Sequence, residues 1–357
     1  MMATLAASTE TYERLRRNAV EAYMQAYSSM WGSLSPSDWW NDGVALGAAA
    51  YMGLWDMRMV RQVRQAAISY ADATLDAAGI KPPKGYDPTF IYPRFGTDPW
   101  EVNYRPAQAY RSAAIQAPSI RPVEWPKMDD ADWRAVSEWL EAASEQGRRT
   151  ADTNATLAGT DTTLTRYRRA KVLSYRRVLH PEMSKTGCCG LCVVAATRWY
   201  STASLLPLHS HCHCTVAPAG SEHDPGLELN EKDLQRLYSE AGGTTGERLR
   251  DVSVRFETNG EIGPVMSYKD AKAEADGSNA EWQRPTMQYT LEQYKRMKAR
   301  AQAFDAAYET VLRTGKNHTF RVDGRSYTFK PSGNLNKARA YTNRLVREIN
   351  SQLAKAA

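Results

Sequence analysis

All five cysteines of the chain and three of its six histidines fall between Cys188 and Cys214. Soft donors held in two knots with a short spacer between them restrict what this segment can become. Zinc asks for four tetrahedrally placed sulfur or nitrogen donors, and two short-reach pairs supply them from one closed loop. Cys189 and Cys192 form a C-x-x-C pair, and His209 and Cys212 form an H-x-x-C pair of the same reach. Cys214, with His211 and His213 beside it, leaves more donors than positions. The candidate ligands are therefore Cys189, Cys192, His209, Cys212 and Cys214, and the expected cofactor is zinc in a structural role. Three plainer readings stay open: small buried hydrophobes, disulfides, and a Cys/His nucleophile pair. No third residue that would orient a catalytic histidine stands out. A closed four-ligand site also leaves no position for a reacting water.

The order C-x-x-C, a helix-sized spacer and then L-P-L-H-x-x-C-x-C-T resembles the minor head proteins typified by protein F of phage Mu, especially the forms carried by tailed phages of actinobacteria. The residues that carry the likeness are Cys189, Cys192, Leu206, Pro207, His209, Cys212, Cys214 and Thr215, with His180-Pro181-Glu182 in keeping just upstream. Cys188 and the His-rich 211–213 segment depart from the commoner pattern. The resemblance is confined to residues 180–215 and implies a structural part in head morphogenesis. It places the protein in the virion, at the portal vertex or inside the capsid, after assembly in the host cytoplasm. The implied partners are the portal protein and a major capsid or scaffold protein. A head maturation protease is the enzymatic alternative, for which no Ser/His/Asp arrangement is visible.

A chain of 357 residues is long enough for two or three domains with an ordinary core. The N-terminus lacks a basic region followed by an apolar core and a cleavage site. The longest apolar run, Gly43 to Trp55, is shorter than the roughly 20 residues a membrane span needs. The expectation is a soluble protein made in a reducing cytoplasm, with no membrane partner.

Charge is unevenly placed. Residues 291–357 hold 14 Lys/Arg against 5 Asp/Glu, a net +9, which with +6 for the whole chain leaves residues 1–290 at −3. A basic end on a slightly acidic body suits a polyanionic partner such as packaged DNA, and a DNA-binding virion protein is the second alternative function. The plainer reading is lysine and arginine solvating helix faces. A second basic cluster, Arg166, Arg168, Arg169, Lys171, Arg176 and Arg177, precedes the Cys/His segment and admits the same two readings.

Along the chain, Tyr12, Leu15, Ala19, Tyr23, Tyr27 and Met30 recur at helical spacing over 8–31, with Ser8 or Thr9 as cap. Ser35-Pro36-Ser37-Asp38 reads as a fresh helix start, and the helix it opens ends at Gly79 before Pro82 and Pro83. Its small-sided face, Gly43 to Gly53, predicts close approach of another helix. Residues 81–127, rich in proline and aromatics, read as an irregular arm. A helix is predicted over 130–149, the Thr/Ala-rich stretch to 165 is ambiguous, and short strands flank the cysteines. Short elements follow to 257: a helix over 231–240, a glycine-rich turn at 242–246 and a strand over 252–257. A linker is read over 271–288. Residues 291–354 read as helix, Asp-Gly hairpin, helix. The fold class is α+β, predominantly helical. The domains are an N-terminal helical region (1–165) that includes the 81–127 arm, a Cys/His module (166–220), a connecting region (221–288) and a basic helix-hairpin-helix unit (289–357).

Overall fold

The computed structural model describes residues 2–85, 91–116, 129–181, 188, 190–203, 213–220, 223–240, 254–268 and 283–356. The predicted glycine turn at 242–246 and most of the 271–288 linker lie outside them. Among the described residues there are eight α-helices and three small antiparallel sheets, a predominantly helical α+β fold. No helix among them is long and apolar enough to cross a membrane.

The first helix, α1 (Met2–Trp31), begins before Ser8, and the Thr9 hydroxyl donates to the Leu5 carbonyl inside the helix instead of capping it. Its buried stripe runs through Tyr12, Arg16, Ala19, Tyr23 and Tyr27, while Leu15 is exposed. The Ser35–Asp38 box forms, with Ser35 and Asp38 bonded reciprocally, but it opens only a single 3-10 turn, Asp38–Trp40. The long helix α2 (Asp42–Ala77) starts afresh at Asn41, whose side chain accepts from the Gly43 amide. Gly79, at φ +71°, ends the element in the left-handed region that glycine occupies without strain.

The expected irregular arm contains a 17-residue helix, α3 (Pro99–Ile115), with Pro106 inside it. An internal proline costs about 3 kcal/mol. Burial of Trp100, Tyr104, Ala107, Tyr110 and Ala114 at helical spacing outweighs that cost. Asp98 caps the helix by accepting from the Glu101 amide at 2.9 Å, and Pro99 takes the first turn, where no amide is needed.

The next helix, α4 (Asp130–Arg169), runs unbroken for 40 residues from an Asp129/Asp132 capping box through the Thr/Ala-rich stretch. Thr153, Thr162 and Thr163 satisfy their hydroxyls on carbonyls four residues back, which lets threonine sit in a buried helix. Beyond it come β1 (Ser174–Val178), α5 (Gly190–Ala196), β2 (Trp199–Ser201), β3 (Thr215–Ala219) and α6 (Pro225–Glu240). They are followed by the hairpin β4 (Val254–Asn259) and β5 (Gly263–Tyr268).

The C-terminal unit matches its sequence pattern: α7 (Met287–Thr314), β6 (His318–Val322), β7 (Arg325–Phe329) and α8 (Leu335–Ala356). The β6–β7 turn uses Asp323 and Gly324, both at positive φ, as a two-residue hairpin requires. Residues of α7, β7 and α8 share one apolar core with α1 to α4. Alongside α2, α8 runs parallel. Gly43 faces Leu335, Gly47 faces Ala338, Gly53 faces Leu345 and Arg61 approaches Glu348. The small-sided face of α2 thus does what its composition predicts.

Asp98 is buried beside Glu101, and burial together with that neighbouring charge pushes its carboxyl up to about 7, against the pull of Arg300. The folded state therefore binds this proton more tightly than the unfolded chain, whose aspartates titrate near about 4. Its contribution to stability is full below about pH 4 and is lost as pH rises through about 7. Asp98→Asn keeps an N-cap side chain. The difference in denaturation midpoint between wild type and Asp98→Asn is expected to swing toward the variant between about pH 4 and pH 7. Parallel curves across that range would refute the assignment.

Candidate functional site

The described part of the Cys/His module is a three-stranded antiparallel sheet in the order β2-β1-β3, with α5 and α6 packed on it. Strand β1 pairs Tyr175 with Tyr200 on one side and with Pro218 on the other. Asn230 of α6 continues the pairing beyond the strand: its Oδ1 accepts from the Leu179 amide and its Nδ2 donates to the Arg177 carbonyl. A buried asparagine thus closes main-chain groups that no strand covers.

Cys192 on α5 and Cys214 just before β3 are both buried in one apolar cluster, with Val193, Val216 and Leu234, and Cys188 packs against it. Arg177, 0 % exposed, points Nη1 at Cys192 Sγ over 3.3 Å. Cys189, His209 and Cys212 of the predicted ligand set lie outside the described residues, as does His211. Among the described residues no three His, Cys, Asp or Glu side chains are grouped closely enough to hold a metal ion.

Half of the basic cluster that precedes the cysteines in sequence is interior, while Arg169 and Lys171 are exposed and Arg168 is half-buried. Arg166 is buried and grips Asp72 with both carboxylate oxygens while donating to the carbonyls of Pro83 and Gly85. Arg176 is buried on Asp224 and donates to the Ala196 carbonyl at the end of α5. Arg166, Arg176 and Arg177 therefore hold the module together and present no phosphate-binding face, nor are they the solvated residues of the plainer reading.

A polar seam that no sequence motif announces joins this module to the N-terminal bundle. Arg16 bonds Glu13 through Nε (3.0 Å) and Nη2 (2.7 Å), Thr156 through Nη1 (3.0 Å), and the His213 carbonyl through Nη2 (3.3 Å). The ring of His213 is turned to the same guanidinium, with Nδ1 at 3.4 Å. Burial disfavours the charge on Arg16, but Glu13, Tyr12 and Asp152 together outweigh it and keep the guanidinium ionised. His180 Nε2 lies 2.9 Å from Thr215 Oγ1, which is 3.0 Å from the Tyr70 hydroxyl. Tyr70 stacks on Tyr12 at 4.9 Å, and burial pushes both phenols well above their ordinary value, so they stay neutral.

Glu13 Oε1, in a side chain 2 % exposed, has no hydrogen-bond partner among the described residues and faces His180 Nε2 at 3.8 Å. Acid and hydroxyl thus approach the same ring nitrogen. A relay needs the acid on the other nitrogen, so Glu13, His180 and Thr215 do not form a nucleophile triad. One signal for this seam stands in the sequence: Arg16 falls on the stripe of Tyr12, Ala19 and Tyr23, where a charged residue has to find a buried partner.

A second buried hub centres on Asp56 of α2, 0 % exposed. It accepts from the Tyr92 hydroxyl (2.6 Å), from Asn103 Nδ2 (2.9 Å) and from Asn154 Nδ2 (2.9 and 3.0 Å). Tyr23 donates to Asn103 Oδ1, Arg94 to Asn154 Oδ1, and Arg94 and Arg105 both pair with Glu261 in the β4–β5 turn. Burial pushes the Asp56 carboxyl up, opposed by the bonds from Tyr92, Asn154 and Asn103. The hub joins α1, α2, α3, α4 and the 91–98 segment.

Comparison with protein families, with curated proteins and with solved structures found no match.

Proposed function

We propose that this chain is a minor head protein of a tailed phage, acting structurally in head morphogenesis beside the portal. The reading is carried by the C-x-x-C and L-P-L-H-x-x-C-x-C-T order of residues 189–215. Burial of Cys192 and Cys214 in one apolar cluster is in keeping with a segment folded back around a common point. The ligands proposed for a structural zinc are Cys189, Cys192, His209, Cys212 and Cys214, of which four would close the site. Bound zinc would supply cross-linking free energy to a module whose own core is small. The module is tied to α1 by Arg16 and His213, so a metal-closed loop would also fix the N-terminal bundle against the sheet. Proposed partners are the portal protein and a major capsid or scaffold protein, and the proposed location is the virion.

Two measurements test this. Mass spectrometry of purified virions is expected to find the chain beside the portal protein, and its absence from virions would remove the head assignment. Elemental analysis of the purified protein is expected to give about one zinc per chain. Cys189→Ser and Cys212→Ser are each expected to lower zinc content and melting temperature together. Zinc content unchanged in both variants would remove the metal. Incubation with major capsid or scaffold protein addresses the maturation protease: specific cleavage abolished by Cys189→Ala would put the enzymatic reading first.

A further inference from the structure

The solvent-exposed surface of α8, which at Lys337 borders a cavity shared with α1 and α2, has a composition that helix stability does not account for. Its exposed residues are Asn336, Lys337, Ala340, Arg344, Arg347, Asn350, Ser351, Ala354 and Lys355, four cations and no acid. Glu348, the acid of this helix, is half-buried and turned toward Arg61 of α2. Among the described residues, none of the four cations is in an ion pair. A helix that merely keeps itself soluble mixes the two signs at spacings of three and four. Here Arg344 and Arg347 sit three apart and repel. Lys337 stands in the first turn, where the positive end of the helix dipole disfavours a cation, and that turn carries no acid.

The four cations project from one side of the helix over about 18 residues, about 27 Å at 1.5 Å per residue. The exposed residues between them are small or amide, the half-exposed carboxylate of Glu348 beside them is turned to Arg61, and α8 contributes none of the exposed large hydrophobic residues among those described. A protein partner is held by desolvated aromatic or aliphatic anchors, which this face lacks. A phosphate backbone asks only for cations at intervals on a surface it can approach closely. We propose that the outward face of α8 binds the phosphates of double-stranded DNA without sequence preference, through Lys337, Arg344, Arg347 and Lys355. The proposal stands apart from the head-protein reading, since the face lies outside the Cys/His module and rests on charge placement alone.

The test is fluorescence anisotropy of a labelled random-sequence duplex with the full chain across a salt series. Wild type is expected to bind with an affinity that falls steeply as salt rises, by a slope of about 0.9 per neutralised phosphate. The variant K337Q/R344Q/R347Q/K355Q is expected to lose about three to four from that slope and about tenfold or more in affinity at low salt. A control, R14Q/R134Q, removes exposed arginines elsewhere and is expected to bind as wild type does. Circular dichroism and melting temperature establish that both variants fold. Wild-type affinity and slope in the fourfold variant would overturn the proposal, as would absence of duplex binding by wild type. Tighter binding of polyglutamate than of duplex at equal charge would assign the face to an acidic polypeptide instead.

Discussion

Replacing Asp56 with alanine is expected to destabilise the protein by about 4 kcal/mol, a large share of an ordinary domain's margin of about 5–15 kcal/mol. The carboxylate is the common acceptor for Tyr92, Asn103 and Asn154, all buried. Truncation takes the acceptor from the Tyr92 hydroxyl and from one N–H each of Asn103 and Asn154, at a cost of about 1–3 kcal/mol each, while Asn103 keeps the Pro99 carbonyl and Asn154 keeps the Tyr92 oxygen. Against this stands the relief of no longer burying a carboxyl, whose burial pushes its pKa up. The donors decide the sign, because removing one side of a satisfied network leaves the other side desolvated and unpaired. Arg94 keeps its countercharge, since Glu261 holds it at 2.8 Å. Asp56→Asn preserves volume and one acceptor oxygen, so it is expected to lose about half as much. Urea denaturation measures both, and a midpoint for Asp56→Ala equal to wild type would show that the hub contributes nothing.

The second large effect lies at Gly47, and its sign is diagnostic. Alanine in an exposed helix interior is about 1 kcal/mol more favourable than glycine, so local propensity alone predicts stabilisation. Tertiary structure predicts the reverse, because a Cβ at position 47 would collide with the Cβ and Cα of Ala338. Backbone cannot swing aside as a long side chain can, so α8 would have to move off α2. Overpacking of this kind costs about 1–3 kcal/mol and more where a helix axis shifts. Gly47→Ala is expected to lower stability by about 2 kcal/mol net. Ala338→Gly in the same chain is expected to restore part of it, since the two changes share one contact. A stabilised Gly47→Ala protein would mean that the helices do not approach this closely in solution.

How far each element can be read from sequence depends on the range over which it is determined. The C-terminal hairpin is readable because its turn type, strand alternation and paired positive-φ residues are written within a dozen positions, Thr319 to Phe329. The small-sided face of α2 is readable as a helix contact, but not which helix fills it. Helix α3 is unreadable because Pro106 argues locally against it, and only burial of Trp100, Tyr104 and Tyr110 in a shared core reverses that local preference. The Thr-rich half of α4 is ambiguous for the same reason.

Within the candidate site, residue types and spacing are enough to gather Cys189, Cys192, His209, Cys212 and Cys214 into one hypothesis. Nothing in the residue order indicates how Arg177 is used, since a basic run reads as surface until a buried thiol is found beside it.

What the amino-acid order determined alone is local: which stretches can be helical, where turns must fall, where soft donors gather, and that positive charge accumulates after residue 290. Tertiary structure decided which charges are spent inside and which remain outside. Arg94, Arg166 and Arg177 are buried on partners supplied by other elements, while Lys337, Arg344, Arg347 and Lys355 keep their water. The physical reason is desolvation: an ion leaves water only where a partner at fixed geometry replaces its hydration, and that partner is supplied by the fold.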